Sequence, residues 1–406
     1  MTALTGFKVI ELAREPIALA GKLLGDMGAD VLLIEPPGGD PARMIPPFFE
    51  DVPGPENSLW WWHHHTSKRG ICLDLDSDEG RERFLALIAD ADMLIESEPA
   101  GRLAALGIDH DDLLRLQPEL IHVSITPFGR ASANAAVPMT DLTLMAGAGS
   151  VWSCGYDDHS LPPVRASDGQ GYYTACHYAV MAALTALIHR LATGKGQFLD
   201  VSMHQATNVS TEGGSYNWLV AKETVLRKTG RHASSFPTSE SQVLCRDGIW
   251  LCSGVPPRTP NEFGRLLEWV RECGLEEQFP EAVFLEMGAQ PETCPSIADI
   301  GIKDEATAIF SAGRDALVLI AESMDAYDFF VGSQSRNIPS GIIYAPEEAF
   351  EDPHFKARGC QVEVGHPELG RSFRYPGAPY AMGASPWRIS RRAPRLGEHE
   401  AEIFGG

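Results

Sequence analysis

The chain has 406 residues, enough for two or three folding units of about 100–200 residues each. Asp and Glu total 55 against 33 Lys and Arg, so the net charge is −22, and no segment concentrates the basic residues. This charge excludes nucleic acid as an expected partner. The composition, 44% hydrophobic and 22% charged, is that of a globular protein. No window reaches the roughly 18 uninterrupted apolar residues of a membrane span, so we expect no membrane partner.

The beginning of the chain and its cysteines indicate the compartment. Residues 1–8 contain no basic segment followed by an apolar one, so they do not resemble a secretion signal. The eight cysteines are scattered and form no C-x-x-C pair, which is typical of reduced thiols in a chain of this size. The sequence therefore predicts a cytoplasmic protein.

The first 130 residues alternate short β-branched runs with amphipathic segments, as in a parallel sheet flanked by helices. The predicted strands are 8–12, 30–35, 71–75, 92–96 and 120–125. Helices are expected over 19–28 and from a cap at Asp76 to about Ala91, with Glu79 completing a capping box. The repeated βα units predict a doubly wound, Rossmann-like α/β fold.

A long helix is predicted from Asp168 to the C-cap signal Thr193-Gly-Lys-Gly196, followed by a strand over 197–202. The helix is small and apolar nearly all round, so we expect it to be buried. Polar residues 227–240 are typical of a connection. Further on, the sequence predicts a hairpin over 243–252 around Asp247-Gly248, helices over 259–273 and 305–323, and a strand-like tail from Ile338.

Three tryptophans and three histidines occupy residues 60–65, where they invite a metal-site hypothesis. Consecutive residues do not share one face of a helix or strand, so three adjacent histidines rarely bind one metal. The spacing favours packing at a domain or subunit contact and no metal site. Residues 147–150 and 194–196 lack the complete glycine patterns of NAD or ATP sites.

Taken together, many segments resemble the family III CoA-transferases, also called the CaiB/BaiF family. The resemblance covers nearly the whole chain and begins with LTGFKVIEL (4–12), DMGADV (26–31) and EPPGGD (35–40). It continues through residues 68–69, 73–75, 91–96, TGKGQ (193–197), 200–202, 338–341, 352–353, 357–359, 377–379 and APRLGEH (393–399). Each segment is short, but their order and spacing agree with the family.

The resemblance implies acyl exchange on an aspartate. Its carboxylate would attack an acyl-CoA thioester to give a mixed anhydride, which the released CoA thiolate would convert to an aspartyl-CoA thioester. An acceptor acid would then take the CoA by the reverse steps, with water excluded. Coenzyme A is thus a substrate, and the resemblance implies no metal or redox cofactor.

The position of that aspartate is displaced here. In relatives it opens the long helix, roughly six turns before the Thr of the Thr-Gly-Lys-Gly turn, and an ungapped count from Thr193 falls on Tyr172. The nearest acid is Asp168, one turn earlier, which is the candidate nucleophile. Its spacing also predicts a helix N-cap, and both roles can coexist. Asp141 matches a second family aspartate, interpreted as structural.

The resemblance implies that coenzyme A contacts a set of residues near the strand ends. The candidates are Arg14, Lys68, Arg69, Leu73, Ser97, Glu98 and Arg102. Several positions that are basic in relatives are not basic here, including Leu33, Pro36 and Ala104 or Ala105. Loss of these cations would weaken binding of a phosphate-bearing ligand.

The nucleophile is displaced and several basic residues of the CoA site are missing. In both features the chain resembles the supporting subunits of heteromeric benzylsuccinate-type CoA-transferases. We therefore expect a component that moves CoA from an acyl-CoA donor to an organic acid, with aromatic acids among the candidates, beside a second related chain. The alternatives are a self-sufficient transferase using Asp168, a 2-methylacyl-CoA racemase and a non-catalytic scaffold. The racemases place a His where Thr140 stands, which counts against that alternative.

The resemblance also implies the assembly. Relatives form dimers whose chains interlock, so we expect such a dimer here. It further implies a large α/β domain built from residues 1–224 and 331–406, with a small α+β domain inserted over 225–330.

Overall fold

The computed structural model describes residues 2–235, 240–296 and 299–405, which form two compact units. The larger unit consists of Met1–Trp152, Val164–Lys222 and Asp352–Gly406, and the smaller one of Ser153–Pro163 and Glu223–Glu351. Within the smaller unit, a strand at Gly341–Ile342 pairs with Trp250–Cys252. The domain boundaries predicted at 224/225 and 330/331 stay a prediction.

A six-stranded parallel sheet forms the centre of the larger unit. Its strands are β1 (Lys8–Leu12), β2 (Asp30–Glu35), β3 (Lys68–Cys72), β4 (Met93–Glu96), β5 (Ile121–Thr126) and β6 (Gln197–Ser202). Their order across the sheet is β3-β2-β1-β4-β5-β6, and every pair is parallel. This order is that of a doubly wound fold, so the predicted α/β class is confirmed.

Helices cover both faces of this sheet. The helices of the larger unit are α1 (Ala18–Asp26), α2 (Leu59–His64), α3 (Asp78–Ala89), α4 (Arg102–Ala105), α5 (His110–Leu116), α6 (Asp141–Ala148), α7 (Gln170–Thr193), α8 (Met203–Val209) and α9 (Glu212–Tyr216), with α14 (Pro353–Ala357) and α15 (Glu400–Phe404) near the end. Alternate strand residues enter different cores: Val9 packs with α1 and α7, and Ile10 with α3 and α5. The sheet is therefore buried on both sides.

Two predictions near the third strand are wrong. β3 begins at Lys68, three residues before the predicted start, because the buried Lys68 pairs in register with Val31. Helix α3 is capped by Ser77, whose hydroxyl accepts the Gly80 N–H at 3.0 Å, so Asp76 is not its N-cap. The carboxylate of Asp76 binds an arginine instead, as described below.

Helix α7 is buried along only one face. Its inward face packs on the sheet, but Tyr178, Met181, Ile188 and Leu191 are exposed, Leu191 by 77%. The prediction of a fully buried helix is wrong for the single chain. By length and composition this 24-residue helix also meets the criterion for a membrane span, as core helices of soluble proteins do. Its C-cap, Gly194 with φ 71°, is as predicted.

The smaller unit contains a hairpin, a small sheet and helices around its own core. Its strands are β7 (Leu226–Lys228), β8 (Arg231–Ser234), β9 (Gln242–Leu244), β10 (Trp250–Cys252) and β11 (Gly341–Ile342). Its helices are α10 (Pro260–Glu272), α11 (Ala282–Gly288), α12 (Asp304–Ser323), α13 (Ala326–Ser335) and a short turn at Pro346–Ala349. The predicted β9–β10 hairpin is confirmed, whereas the expected connection over 227–240 includes the β7–β8 hairpin.

Three fully buried glutamates lie at or near the carboxyl ends of neighbouring strands, each beside a cation. Glu11 of β1 pairs with Lys68 at 2.8 Å. Glu35 of β2 accepts two hydrogen bonds of 2.7 Å from Arg43, a guanidinium that also lies 4.1 Å from the Trp61 ring. Glu96 of β4 accepts from Arg130 at 2.7 Å. Loss of one partner would leave a buried charge uncompensated.

We predict that Lys68→Met lowers the free energy of unfolding by about 3–5 kcal/mol, because the carboxylate of Glu11 would be buried without a partner. The double variant Glu11→Leu/Lys68→Met should recover most of this loss. Urea unfolding followed by tryptophan fluorescence measures both. Lys8→Met, which removes an exposed ion pair with Asp90, is the control and should change little. Equal effects of Lys68→Met and Lys8→Met would contradict the prediction.

Candidate active site

The first turn of helix α7 is capped by a residue from another helix. Gly169 is the N-cap, and no side chain of α7's own N-terminus caps it. The Asp141 carboxylate, at the start of α6, accepts the N–H groups of Gly171 at 2.8 Å and Tyr172 at 3.2 Å. The interpretation of Asp168 as the cap is therefore wrong, because Asp141 already occupies the positive end of the helix.

Asp168 lies just outside this helix. It is exposed and has a left-handed backbone, with φ 56°. Its carbonyl oxygen accepts a hydrogen bond of 2.8 Å from Arg165, whose guanidinium also lies 3.3 Å from the Asp141 carboxylate. Arg165 thus fixes the turn through the backbone of Asp168.

An ungapped count from Thr193 places the nucleophile at residue 172, which is a tyrosine. Tyr172 is only 8% exposed. Burial, followed by the negative charges of Glu15 and Asp141, raises the pKa of Tyr172 to about 12. Its hydroxyl group is therefore protonated at neutral pH and does not replace a carboxylate.

Aromatic rings stack beside the same helix end. The Trp60 and His64 rings are 4.2 Å apart and nearly parallel, and His64 stacks on Tyr173 at 5.5 Å. Burial lowers the pKa of His63 to about 3 and that of His64 to about 4, so both rings are neutral. Across the described residues, no group of three or more His, Cys, Asp or Glu side chains could hold a metal. The histidine run takes part in packing.

Four of the residues proposed to contact coenzyme A lie together at the end of β4. Glu98 accepts from Arg14 at 3.2 Å and lies 3.9 Å from Arg102. Arg102 also makes two hydrogen bonds of 2.8 Å to Asp76. Ser97 is half-buried just after β4. Both arginines of this group are thus paired with carboxylates.

The other candidate contacts are placed elsewhere. Lys68 is fully buried, and its ammonium group binds Glu11, the Ala18 carbonyl oxygen and His65, so its three N–H donors are engaged. Arg69 pairs with Asp30 at 2.7 Å and with Glu402 at 2.8 Å. Leu73 belongs to the core beside α3. Lys68 therefore has no donor left for a phosphate, contrary to expectation.

The sequence does not indicate the roles of two residues in this region. Arg165 and Arg130 stand in loops, where no periodicity marks their partners. A third position, Thr140, is the N-cap of α6, and its hydroxyl accepts the Thr143 N–H at 3.4 Å. The carboxylate of Asp141 was correctly expected to be structural.

Comparisons with known proteins agree with this fold and these motifs. The sequence pattern of CoA-transferase family III matches residues 4–400. The chain is 30% identical to the succinyl-CoA:(R)-benzylsuccinate CoA-transferase subunit BbsE of Thauera aromatica, over 98% of this chain and 92% of that one. It is also 30% identical to the succinate–glutarate CoA-transferase of Agrobacterium fabrum, over 99% and 94% of the two chains.

A solved structure shows the same architecture. A CaiB/BaiF family protein from Brucella suis superposes with a TM-score of 0.79 at 26% identity, covering 100% of this chain and 99% of the other. The protein is therefore a CoA-transferase, an enzyme class that acts on acyl-CoA thioesters and carboxylic acids. It belongs to CoA-transferase family III.

We predict that Asp141→Ala destabilises the protein by about 1–2 kcal/mol, because two N–H groups of α7 lose their acceptor. Thermal or urea unfolding measures the change. The matched control is Asp168→Asn, which retains a side chain that tolerates a left-handed backbone and removes no cap. A loss of stability in Asp168→Asn as large as that in Asp141→Ala would refute this assignment of the cap.

Proposed function

We propose that this chain is the supporting subunit of a heteromeric family III CoA-transferase, in which a second related chain carries the reacting aspartate. The observation that carries the proposal is the N-terminus of α7. The position there that is expected to carry the nucleophile holds the protonated phenol of Tyr172. The Thauera relative is itself named as a subunit.

The charges at the end of β4 support the same role. Arg14 and Arg102 are bound by Glu98 and Asp76, so a phosphate would have to displace an existing ion pair. Such displacement offsets part of the gain from a new charge-assisted hydrogen bond. We infer that coenzyme A binds mainly to the second chain.

The reaction of the complex would proceed in four balanced steps. The aspartate carboxylate attacks the donor thioester and expels CoA thiolate, giving an anhydride. The thiolate then attacks the aspartyl carbonyl and releases the donor acid. The acceptor carboxylate attacks the aspartyl-CoA thioester, and the expelled thiolate finally takes the acceptor acyl group, which restores the aspartate.

The acceptor is proposed to be an organic acid that includes an aromatic ring. The rings of Trp60 and Tyr173 each stack against the buried, neutral ring of His64 beside the start of α7, and both are partly exposed. A partly exposed aromatic ring favours stacking with a further ring. A cytoplasmic location stays a prediction.

One observation favours the alternative of a self-sufficient enzyme. The carboxylate of Asp168 is exposed and stands immediately before the N-cap of α7. A shift of the helix start would bring it toward the position used by relatives. The following experiment separates the two functions.

The purified chain is incubated alone with a panel of acyl-CoAs and hydroxylamine, and its intact mass is measured. Because a supporting subunit forms no activated carboxylate, we expect no hydroxamate on this chain. A hydroxamate that disappears in Asp168→Asn, but persists in the matched exposed variant Asp158→Asn, would overturn the proposal in favour of the self-sufficient enzyme.

The expected dimer, with interlocked chains, is also a proposal. Its support is the exposed apolar stripe on α7 formed by Tyr178, Met181, Ile188 and Leu191, since a stripe of this kind marks an interaction surface. We expect the stripe to pack against the second chain.

We predict that Leu191→Asp converts the assembled protein to single chains, because a charge would enter an apolar interface. Sedimentation velocity measures the size. Leu116→Asp, at an exposed leucine of α5 on the opposite face of the sheet, is the matched control and should leave the assembly unchanged. An assembly that survives Leu191→Asp would show that this face is not the interface.

A further inference from the structure

The C-terminal segment covers the outer edge of the sheet. β3 is the edge strand, and its outward-facing backbone groups are bound by the segment around helix α15. The Gly70 carbonyl accepts the His399 N–H at 3.0 Å, and the Cys72 N–H donates to Glu400 at 3.1 Å. The Gly70 N–H donates to Nδ1 of the His399 ring at 3.1 Å.

These bonds determine which nitrogen of His399 carries the proton. Because Nδ1 accepts the Gly70 N–H, a neutral ring must carry its hydrogen on Nε2. Burial lowers the pKa of His399, Arg391 and Arg69 add to this effect, and Glu398 and Glu402 oppose it, a net direction that agrees with a neutral ring. Nε2 is therefore a donor.

Another donor faces that nitrogen. The Arg391 Nη1 atom lies 3.1 Å from Nε2 of His399. A guanidinium has no acceptor, so the two N–H groups cannot satisfy each other. A single acceptor within hydrogen-bond distance of both nitrogens would satisfy both donors.

A cavity lies beside these two donors. It has a volume of about 550 Å³. Its lining includes Ser390, Arg391, Arg392, His399, Glu363 and Glu398. Arg392 is neutralised by Glu398 at 2.7 Å and by Glu368 at 2.9 Å. In the part of the chain that the structure describes, no carboxylate pairs with the Arg391 guanidinium. Arg391 is thus the lining arginine whose guanidinium is not bound by an ion pair, while Glu363 contributes an opposing charge.

We propose that this cavity binds a small oxyanion, a phosphate or a carboxylate, through the Arg391 guanidinium and the Nε2–H of His399. One oxygen of the anion accepts from both groups, which removes the conflict between the two donors. The Ser390 hydroxyl is a further donor at the rim. Glu363 opposes the anion, which limits the affinity.

The site is separate from the candidate active site. None of Arg14, Glu98, Arg102, Asp141 and Asp168 lines this cavity. An anion bound in this cavity would contact the residue that covers the edge of the sheet, because His399 binds β3 directly. Binding here can be measured without any transferase activity, so its failure and that of the proposed function are distinguishable.

The test is isothermal titration calorimetry of the full chain with inorganic phosphate and, separately, with succinate at constant ionic strength. We expect saturable binding of at least one, weakened about tenfold or more in Arg391→Gln by loss of a charge-assisted hydrogen bond. Binding should be unchanged in Arg388→Gln, an exposed arginine of the same segment, and tighter in Glu363→Gln. If only one of the two anions binds, the ligand of the cavity belongs to the class of that anion, phosphate or carboxylate.

Three results would overturn the proposal. The first is the absence of binding of both anions, and the second is equal weakening in Arg391→Gln and Arg388→Gln. The third comes from nitrogen-15 NMR of the unmodified protein, which does not depend on how the variants fold. A His399 ring protonated on Nδ1 rather than Nε2 would remove the donor on which the site rests.

Discussion

The neutralisation of buried carboxylates at the ends of neighbouring strands is the constraint on which the larger unit depends. Glu11, Glu35 and Glu96 are each completely enclosed. A charge in such a place is tolerated only when a well-placed partner compensates its lost hydration. The partners are Lys68 of β3, Arg43 in the turn after β2 and Arg130 in the loop after β5. Each ion pair therefore holds one further segment of the chain at the end of the sheet.

The same requirement limits what the strand ends can bind. Cations that a phosphate-bearing ligand would need are already paired within the chain: Lys68 with the buried Glu11 and, at the surface, Arg102 with Asp76. Helix α7 repeats the pattern, since Asp141 accepts two N–H groups of its first turn. The family's fold is thus present with these donors satisfied within the chain.

The C-terminal segment completes the sheet by a different means. Unpaired edge groups invite association with other strands, and here His399 and Glu400 bind them. The segment approaches so closely that a Cβ at Gly70 would lie 2.9 Å from Pro394. The Pro394 carbonyl oxygen in turn accepts from Arg43 and Trp61, so the edge cover and the buried Glu35–Arg43 pair form one connected structure.

The parallel α/β class, the βα order and the limits of β1, β2 and β6 follow from the sequence alone, because strand periodicity and turn residues act locally. The same holds for the C-cap of α7 at Gly194. The folded chain is needed to show that Lys68 is internal, that Asp76 pairs with Arg102 while Ser77 caps α3, and that Asp141 rather than Asp168 caps α7. Lys68, Asp76 and Asp141 each act on a partner distant in the chain, and such a partner leaves no periodic signal in the sequence.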